Sequence, residues 1–311
     1  MRSKKAGKKF WITIGSFDGI HLGHQRIISN LVENAHADGS HTVLITFFPN
    51  PAVFLKKIQE AYYLTTPEEK EQLIYNLGID LLRTLPFDQE LAKTRAREFI
   101  HQLHTNLQFT NILVGSDFHF GVNREGDIHT LESLGKDLDF NVVKQVPIFE
   151  SKKRVSSSQI RNLLKRGDVK RAALILGRHY SILGKVMHGD GRGKKLGIPT
   201  ANISTWQRKL LPAQGVYVAI AHIGKNQRGA IVNIGTRPTF YQKTSIRTTE
   251  AYLLDWKEDF YGKQLNLEFI CRLRPENKFD SANALMNQIH QDIQRSREIL
   301  THVIKEKHLS A

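Results

Sequence analysis

The hydrophobic period of this sequence changes once, near residue 180, and that change constrains the fold more than any other feature. Up to about residue 147, short runs rich in Val, Ile and Phe alternate with helix-period segments: Phe10 to Ile14, Thr42 to Phe48, Ile79 to Leu85, Asn111 to Val114 and Asn141 to Val146. Thr66, Pro67 and Glu69 form a capping-box helix start, and Gly78 stands where that helix would end. Alternation of this kind predicts an α/β domain with a parallel sheet, helices on both faces and ligands at the carboxyl ends of the strands, from Gly15 onward. Two more helical stretches, Gln159 to Lys165 and Asp168 to Leu176, follow. Beyond them come strands with glycine turns: Ser181 to Met187, Val216 to Ile223, Gly229 to Ile234, Glu250 to Leu254 and Leu265 to Leu273. These predict a small antiparallel β-barrel. A long terminal helix capped by Asp280 would pack on it through Leu285, Ile289, Ile293 and Leu300. The expected domains are therefore 1–180 and 181–311.

No apolar run approaches the roughly 20 residues of a membrane span, and the basic amino terminus lacks the apolar stretch of a secretory signal. Cys271 is the only cysteine, which excludes an intrachain disulfide and a multi-thiolate zinc site. A cytoplasmic location is expected. The formal charge of +15, from 45 Lys and Arg against 30 Asp and Glu, raises nucleic-acid binding as an alternative. Two of the basic clusters, Lys152 to Arg154 and Arg192 to Lys195, instead flank motifs suited to phosphate, and no base-stacking aromatic cluster accompanies them. His101 and His104, an i, i+3 pair on a predicted helix, have no evident third zinc ligand.

The segment Gly15-Ser16-Phe17-Asp18-Gly19-Ile20-His21-Leu22-Gly23-His24 follows the first strand and opens a helix predicted from Gln25 to Ala37. Glycines 15, 19 and 23 permit close backbone approach, and the helix N-terminus supplies free N–H donors and a positive dipole end. His21 and His24 are spaced to donate to one phosphate group as charge builds on leaving pyrophosphate. A lone HxxH would read first as an exposed turn; the strand, the glycines and the helix reverse that and argue for polyphosphate. Further along, Ser156, Ser157 and Ser158 precede a helix that carries Arg161 in its first turn, a pattern that fits either a helix cap or a phosphate clamp.

In the second half, a loop with Gly189, Gly191, Gly193 and Lys195 leads into Pro199-Thr200-Ala201-Asn202. It lacks Walker spacing and by itself is also a plain flexible turn. Thr200 and Asn202, two apart on an extended segment, point to one side, where their oxygens can share Mg²⁺ with a nucleotide. Phosphoryl transfer to an alcohol calls for a nearby carboxylate, and Glu250, Asp255, Glu258 and Asp259 are the candidates. Glu250 shares its strand face with Tyr252 and Leu254, although a strand glutamate is often merely solvated.

Together these segments resemble the bacterial bifunctional riboflavin kinase/FAD synthetase family over nearly the whole chain. The matching motifs also include Thr46-Phe47-Phe48-Pro49, Gly115 to Gly121 with Arg124 and Gly126, Gly215-Val216-Tyr217, Asn233 to Phe240, and Tyr261-Gly262. The resemblance implies a Rossmann-like nucleotidyltransferase domain that adenylylates FMN to FAD, and a riboflavin kinase barrel that makes the FMN. ATP and Mg²⁺ are the implied cofactors, and riboflavin, FMN and FAD the substrates and products. No specific nucleic acid and no membrane partner is expected; a homo-oligomer is left open. Implied roles are Glu250 as base, Thr200 and Asn202 around the Mg-nucleotide, and His21, His24, Ser157, Ser158 and Arg161 on ATP phosphates. Gly15, Phe17, Asp18, Gly23, Asn50 and Asp117 would line the nucleotide or flavin. The chain departs from the family at Asn50 and Tyr252, both commonly His, and at Ser158, usually Thr. The loss of an imidazole at Asn50 raises a second reading, a kinase whose adenylyltransferase half is weak or inactive.

Overall fold

The computed structural model describes residues 9–150, 153–188, 198–237, 246–256, 258 and 260–309. By contact the chain divides between Ser157 and Ser158. The first unit is built on five parallel strands, β1 (Phe10–Ile14), β2 (His41–Phe48), β3 (Leu81–Pro86), β4 (Asn111–Gly115) and β5 (Asn141–Gln145). Their order is β3-β2-β1-β4-β5. The chain winds outward in both directions from the β1–β4 pair, so the crevice above the ends of those two strands is the switch point where α/β sheets bind ligands.

Six helices connect the strands: α1 (Leu22–Ala37), α2 (Pro51–Leu55), α3 (Pro67–Tyr75), α4 (Gln89–Lys93), α5 (Ala96–Leu107) and α6 (Ile128–Leu138). Alternate strand residues separate the core into two layers. Trp11, Leu44 and Leu113 pack against Ile28, Leu31 and Ala35 of α1 and Ile74 of α3. Ile12, Ile14, Val43, Ile45, Ile112 and Val114 face Phe99, Ile100 and Leu103 of α5 and Leu131 and Leu134 of α6. Each such buried side chain contributes roughly 2 kcal/mol of burial free energy. The capping box forms as expected: the Glu69 amide donates to Thr66 Oγ1 at 3.2 Å and the Thr66 amide to Glu69 Oε2 at 2.8 Å.

A short hairpin, β6 (Phe149–Glu150) with β7 (Lys153–Arg154), closes the first unit. Helix α7 (Ser157–Lys165) starts at the division, and the second unit continues with α8 (Val169–Leu176). Six antiparallel strands then form a closed barrel: β8 (Tyr180–Met187), β9 (Ala201–Thr205), β10 (Gly215–Ile223), β11 (Asn226–Arg237), β12 (Ile246–Leu253) and β13 (Gln264–Arg274). Inward residues such as Ile182, Val186, Ala219, Val232, Ala251 and Phe269 are fully or almost fully buried. The outer face is covered in part by α9 (Ala282–Leu309), whose Ile293 and Leu300 meet Val216, Val218, Ile231 and Ile270.

The terminal helix starts later than its sequence signal, because Ser281 and not Asp280 accepts the Ala284 amide, at 3.2 Å. Its polar anchor is Asp292, 6% exposed, which accepts from Arg274 Nη2 at 2.8 Å and from Gln288 Nε2 at 3.0 Å. An Asp292→Ala substitution leaves the largely buried Arg274 unpaired and is expected to cost about 3 kcal/mol. Faster hydrogen exchange confined to α9 and β13 is the measurement that checks it.

Candidate active sites

The front loop is held from beneath by a carboxylate. Asp18 is 3% exposed and accepts from the amides of Leu64 at 2.9 Å and Thr65 at 3.2 Å and from the Thr65 hydroxyl at 3.3 Å. The Gly19 amide donates to that same hydroxyl at 3.2 Å. These bonds bring the loop against the 64–65 segment, so tightly that a Cβ at Gly19 would lie 2.8 Å from Leu64 Cδ1. Phe17 and Ile20 adopt left-handed φ of 45° and 40°. Such angles are outliers for bulky side chains and persist only where the surroundings enforce them.

Helix α1 begins at Leu22, three residues ahead of its predicted start, because an imidazole serves as its cap. His21 Nδ1 accepts the His24 amide at 3.3 Å. Histidine is outside the usual set of cap residues, so the sequence signal for the start was absent. An Nδ1 that accepts leaves the ring proton on Nε2. The two imidazoles stack, with centroids 3.7 Å apart and planes 15° from parallel, and Phe17 packs on His24 at 5.0 Å. A Cβ at Gly23 would stand 3.2 Å from the His21 ring, so that glycine makes room for the cap.

A cavity of about 320 Å³ lies above β1 and β4. It gathers Gly15, Phe17, His21, Gly23 and His24 from the front loop, Asp117 from the β4 loop, and Ser157 at the start of α7. Ser157 Oγ donates to the Asp18 carbonyl at 2.8 Å, which docks it on the loop backbone. Arg154 of β7 also lines the cavity and bonds Asp117 Oδ1 at 2.5 Å. Burial opposes ionisation of Asp117, but the Arg154 hydrogen bond and charge outweigh it and hold the carboxyl below its ordinary value. Arg154 was visible in the sequence only as part of a basic cluster before the serines.

Other expected residues stand elsewhere. Asp18 turns its carboxylate away from this cavity, and Asn50 caps α2, with Oδ1 accepting the Ala52 amide at 2.9 Å. Both line a water-sized pocket with Ser16, Tyr63 and Lys70. Ser158 is in the first turn of α7, and Arg161 follows just beyond it and is buried. Gly189, Gly191, Gly193, Lys195 and Asp259 lie outside the described residues.

In the barrel, pairing register assembles a polar row. Glu250 of β12 is opposite Asn233 of β11 on one side and Asn202 of β9 on the other. Directly paired residues share a sheet face, and this is the outer one, since the neighbouring Ala201, Val232 and Ala251 are buried inside. A cavity of about 390 Å³ opens there. Thr200, Asn233, Glu250, Arg274 and Glu276 supply its polar wall, and Ile198, Val216, Ile231, Tyr252, Phe279 and Leu285 its apolar one. Asn233 and Arg274 received no role from sequence reasoning; strand register, which residue spacing does not reveal, puts Asn233 beside Glu250. Among the described residues no group of three or more His, Cys, Asp or Glu side chains could hold a metal.

Family models match twice: FAD synthetase over residues 3–159 and riboflavin kinase over residues 176–300. Curated relatives named bifunctional riboflavin kinase/FMN adenylyltransferase match along almost their full length. The protein of Buchnera aphidicola from Acyrthosiphon pisum is 37% identical over 91% of this chain and 90% of its own. That of Bacillus subtilis is 34% identical over 94% and 93%. The chain belongs to the bifunctional riboflavin kinase/FMN adenylyltransferase family. A solved Streptococcus pneumoniae structure described as a macrolide-efflux protein shares the fold, with TM-score 0.86 and 29% identity over 94% of both chains. No helix among the described residues here is long and apolar enough to cross a membrane. Each family match thus carries one of the two cavities, with Gly15 to His24 in the first and Glu250 in the second.

The Asp117–Arg154 pair makes a prediction with a definite sign. A depressed carboxyl stays charged until the pH falls below its ordinary value of 3.8. In an NMR titration the Asp117 midpoint is therefore expected below 3.8, and in Arg154→Ala it should rise.

Proposed function

We propose that this chain makes FAD in two ATP-dependent steps, with riboflavin kinase chemistry at the barrel cavity and FMN adenylyl transfer at the parallel-sheet cavity. The observation that carries this reading is the donor set of each cavity, found inside the matching family region. We assign residues 1–180 to adenylyl transfer and 181–311 to the kinase, which keeps the serines and Arg161 with the front chemistry although α7 and α8 pack with the barrel unit.

At the barrel, the apolar wall suits a flat aromatic ring system and the polar row its hydroxyl tail. Glu250 takes the proton of the riboflavin 5′-hydroxyl while that oxygen bonds to the γ-phosphorus and the bond to ADP breaks. Thr200, Asn202 and Asn233 present hard oxygen donors, the kind Mg²⁺ accepts alongside nucleotide phosphates. Bound there, Mg²⁺ would neutralise phosphate charge. Thr200 and Asn202 would hold it, and Gly189, Gly191, Gly193 and Lys195 are assigned to nucleotide binding.

At the sheet, an FMN phosphate oxygen attacks the α-phosphorus of ATP, and pyrophosphate leaves as the α–β bridging bond breaks. His21 donates from Nε2, His24 stands stacked beside it, and the N-terminus of α1 adds its dipole where negative charge grows. Ser157, Ser158 and Arg161 hold the departing phosphates in this assignment. Asn50 spends its side-chain oxygen on α2, so the cationic support comes from Arg154 instead.

Separating the steps tests the proposal. With riboflavin, ATP and Mg²⁺, both FMN and FAD should form. Glu250→Gln should stop FMN formation yet still convert added FMN to FAD, and His24→Ala should do the reverse, with losses of about 10²-fold or more. Chromatography of the flavins gives the answer; full-rate FMN formation by Glu250→Gln removes the base assignment.

A further inference from the structure

Ser16 lines both the main front cavity and the small pocket that contains Lys70, so its peptide forms part of the wall between them. On the pocket side, the Ser16 carbonyl accepts from Thr46 Oγ1 at 3.1 Å and from Lys70 Nζ at 3.4 Å. Lys70 Nζ also donates to Thr46 Oγ1, at 3.0 Å, which closes a three-membered knot. In a trans peptide the N–H points opposite to the C=O. With its carbonyl drawn into the knot, the Ser16–Phe17 peptide turns the Phe17 amide toward the phosphate cavity.

That amide donates to no acceptor among the described residues, although Phe17 is only 2% exposed and sits at φ 45°. Buried backbone donors are almost always paired, and strained backbone collects at functional sites. An anion entering the cavity would supply the missing acceptor. Lys70 adds charge as well as a bond, since no carboxylate lies within ion-pair distance of it among the described residues. Asp18, which lines the same pocket, has its carboxylate turned to Leu64 and Thr65.

We infer that Lys70 is a positioning residue for adenylyl transfer: by holding the Ser16 carbonyl with Thr46, it aims the Phe17 amide at the polyphosphate of ATP. This rests on the adenylyl-transfer reading above and names a residue that the front motif does not contain. Lys70 is on α3, in the sequence only one of several charges on a helix face.

Burial lowers the pKa of Lys70 from its ordinary value of 10.5, with the Asp18 charge opposing. The titratable groups facing it are Asp18 and Tyr63; the neighbouring Glu69 is engaged by the Thr66 amide. The charge on this donor is thus lost as pH rises, earlier than for an exposed lysine.

The test uses the full chain with FMN, ATP and Mg²⁺. Lys70→Met is expected to lower kcat for FAD formation by about 10²-fold, the scale of one lost donor to a developing charge, with KM for FMN little changed. Riboflavin phosphorylation by the same molecules should be unaltered. Wild-type FAD formation should decline at alkaline pH, and that limb should vanish in Lys70→Met. Thr46→Val, nearly equal in volume, removes the second donor to the same carbonyl and should also slow the step. With inorganic pyrophosphate as probe, the Phe17 amide resonance should shift in the wild type and not in either variant. Unchanged FAD formation in both variants, or an alkaline limb that survives Lys70→Met, overturns the inference alone. A wild-type chain that makes no FAD from FMN overturns instead the function on which it rests.

Discussion

Much of the front site depends on one buried carboxylate. A polar side chain buried away from water is costly unless its oxygens are bonded, and Asp18 meets that condition with two amides and a hydroxyl from residues 64 and 65. Those bonds fix the backbone on either side of it. Phe17 and Ile20 can then persist in left-handed conformations that a free loop would abandon. The loop delivers His21 to the first turn of α1, where its ring caps the helix and stacks on His24. Side chains that are neighbours in one motif therefore do different work: Asp18 shapes the loop, and the imidazoles line the cavity.

Register has the same place in the barrel that this anchor has in the loop. Because strand residues alternate faces, a slip of one residue on β12 would turn Glu250 inward and Ala251 out. The slip is forbidden by volume, since Ala251 and Val232 occupy a packed interior. The apolar residues that close the barrel thus also set which polar ones stand outside it, and Asn202, Glu250 and Asn233 come into one row as a by-product of core packing. The Arg274–Asp292 pair then ties α9 to β13 beside that row.

Fold class was legible because period is a local signal: alternation gave the parallel sheet, and closely spaced strands gave the barrel. Motif residues were legible for a related reason, since Gly15 to His24 is contiguous and Thr200 and Asn202 are two apart. What escaped depends on contacts distant in sequence. Asn233 reaches Glu250 only through pairing of β11 with β12, Arg154 reaches Asp117 across 37 residues, and Lys70 reaches Ser16 across 54. The early start of α1 escaped for a local reason, because His is a rare cap and no propensity announces it.

The two cavities differ in the donors they offer, and on the proposed assignment that difference bears on which bond of one nucleotide is cut. Cleavage next to the α-phosphorus places the growing charge on a two-phosphorus leaving group, and a helix N-terminus flanked by imidazoles and backbone amides offers many neutral or weakly charged donors over that length. Attack at the γ-phosphorus calls for a positioned proton acceptor near the hydroxyl and compact charge neutralisation at the terminal phosphates, which a carboxylate among oxygen donors can arrange with a hard cation. A parallel sheet yields the first arrangement because its strands end together where helices begin. An antiparallel barrel has no such helix starts; it yields the second, by aligning side chains across neighbouring strands. Each architecture is thus matched to the bond it is proposed to break by the kind of donor its backbone can line up.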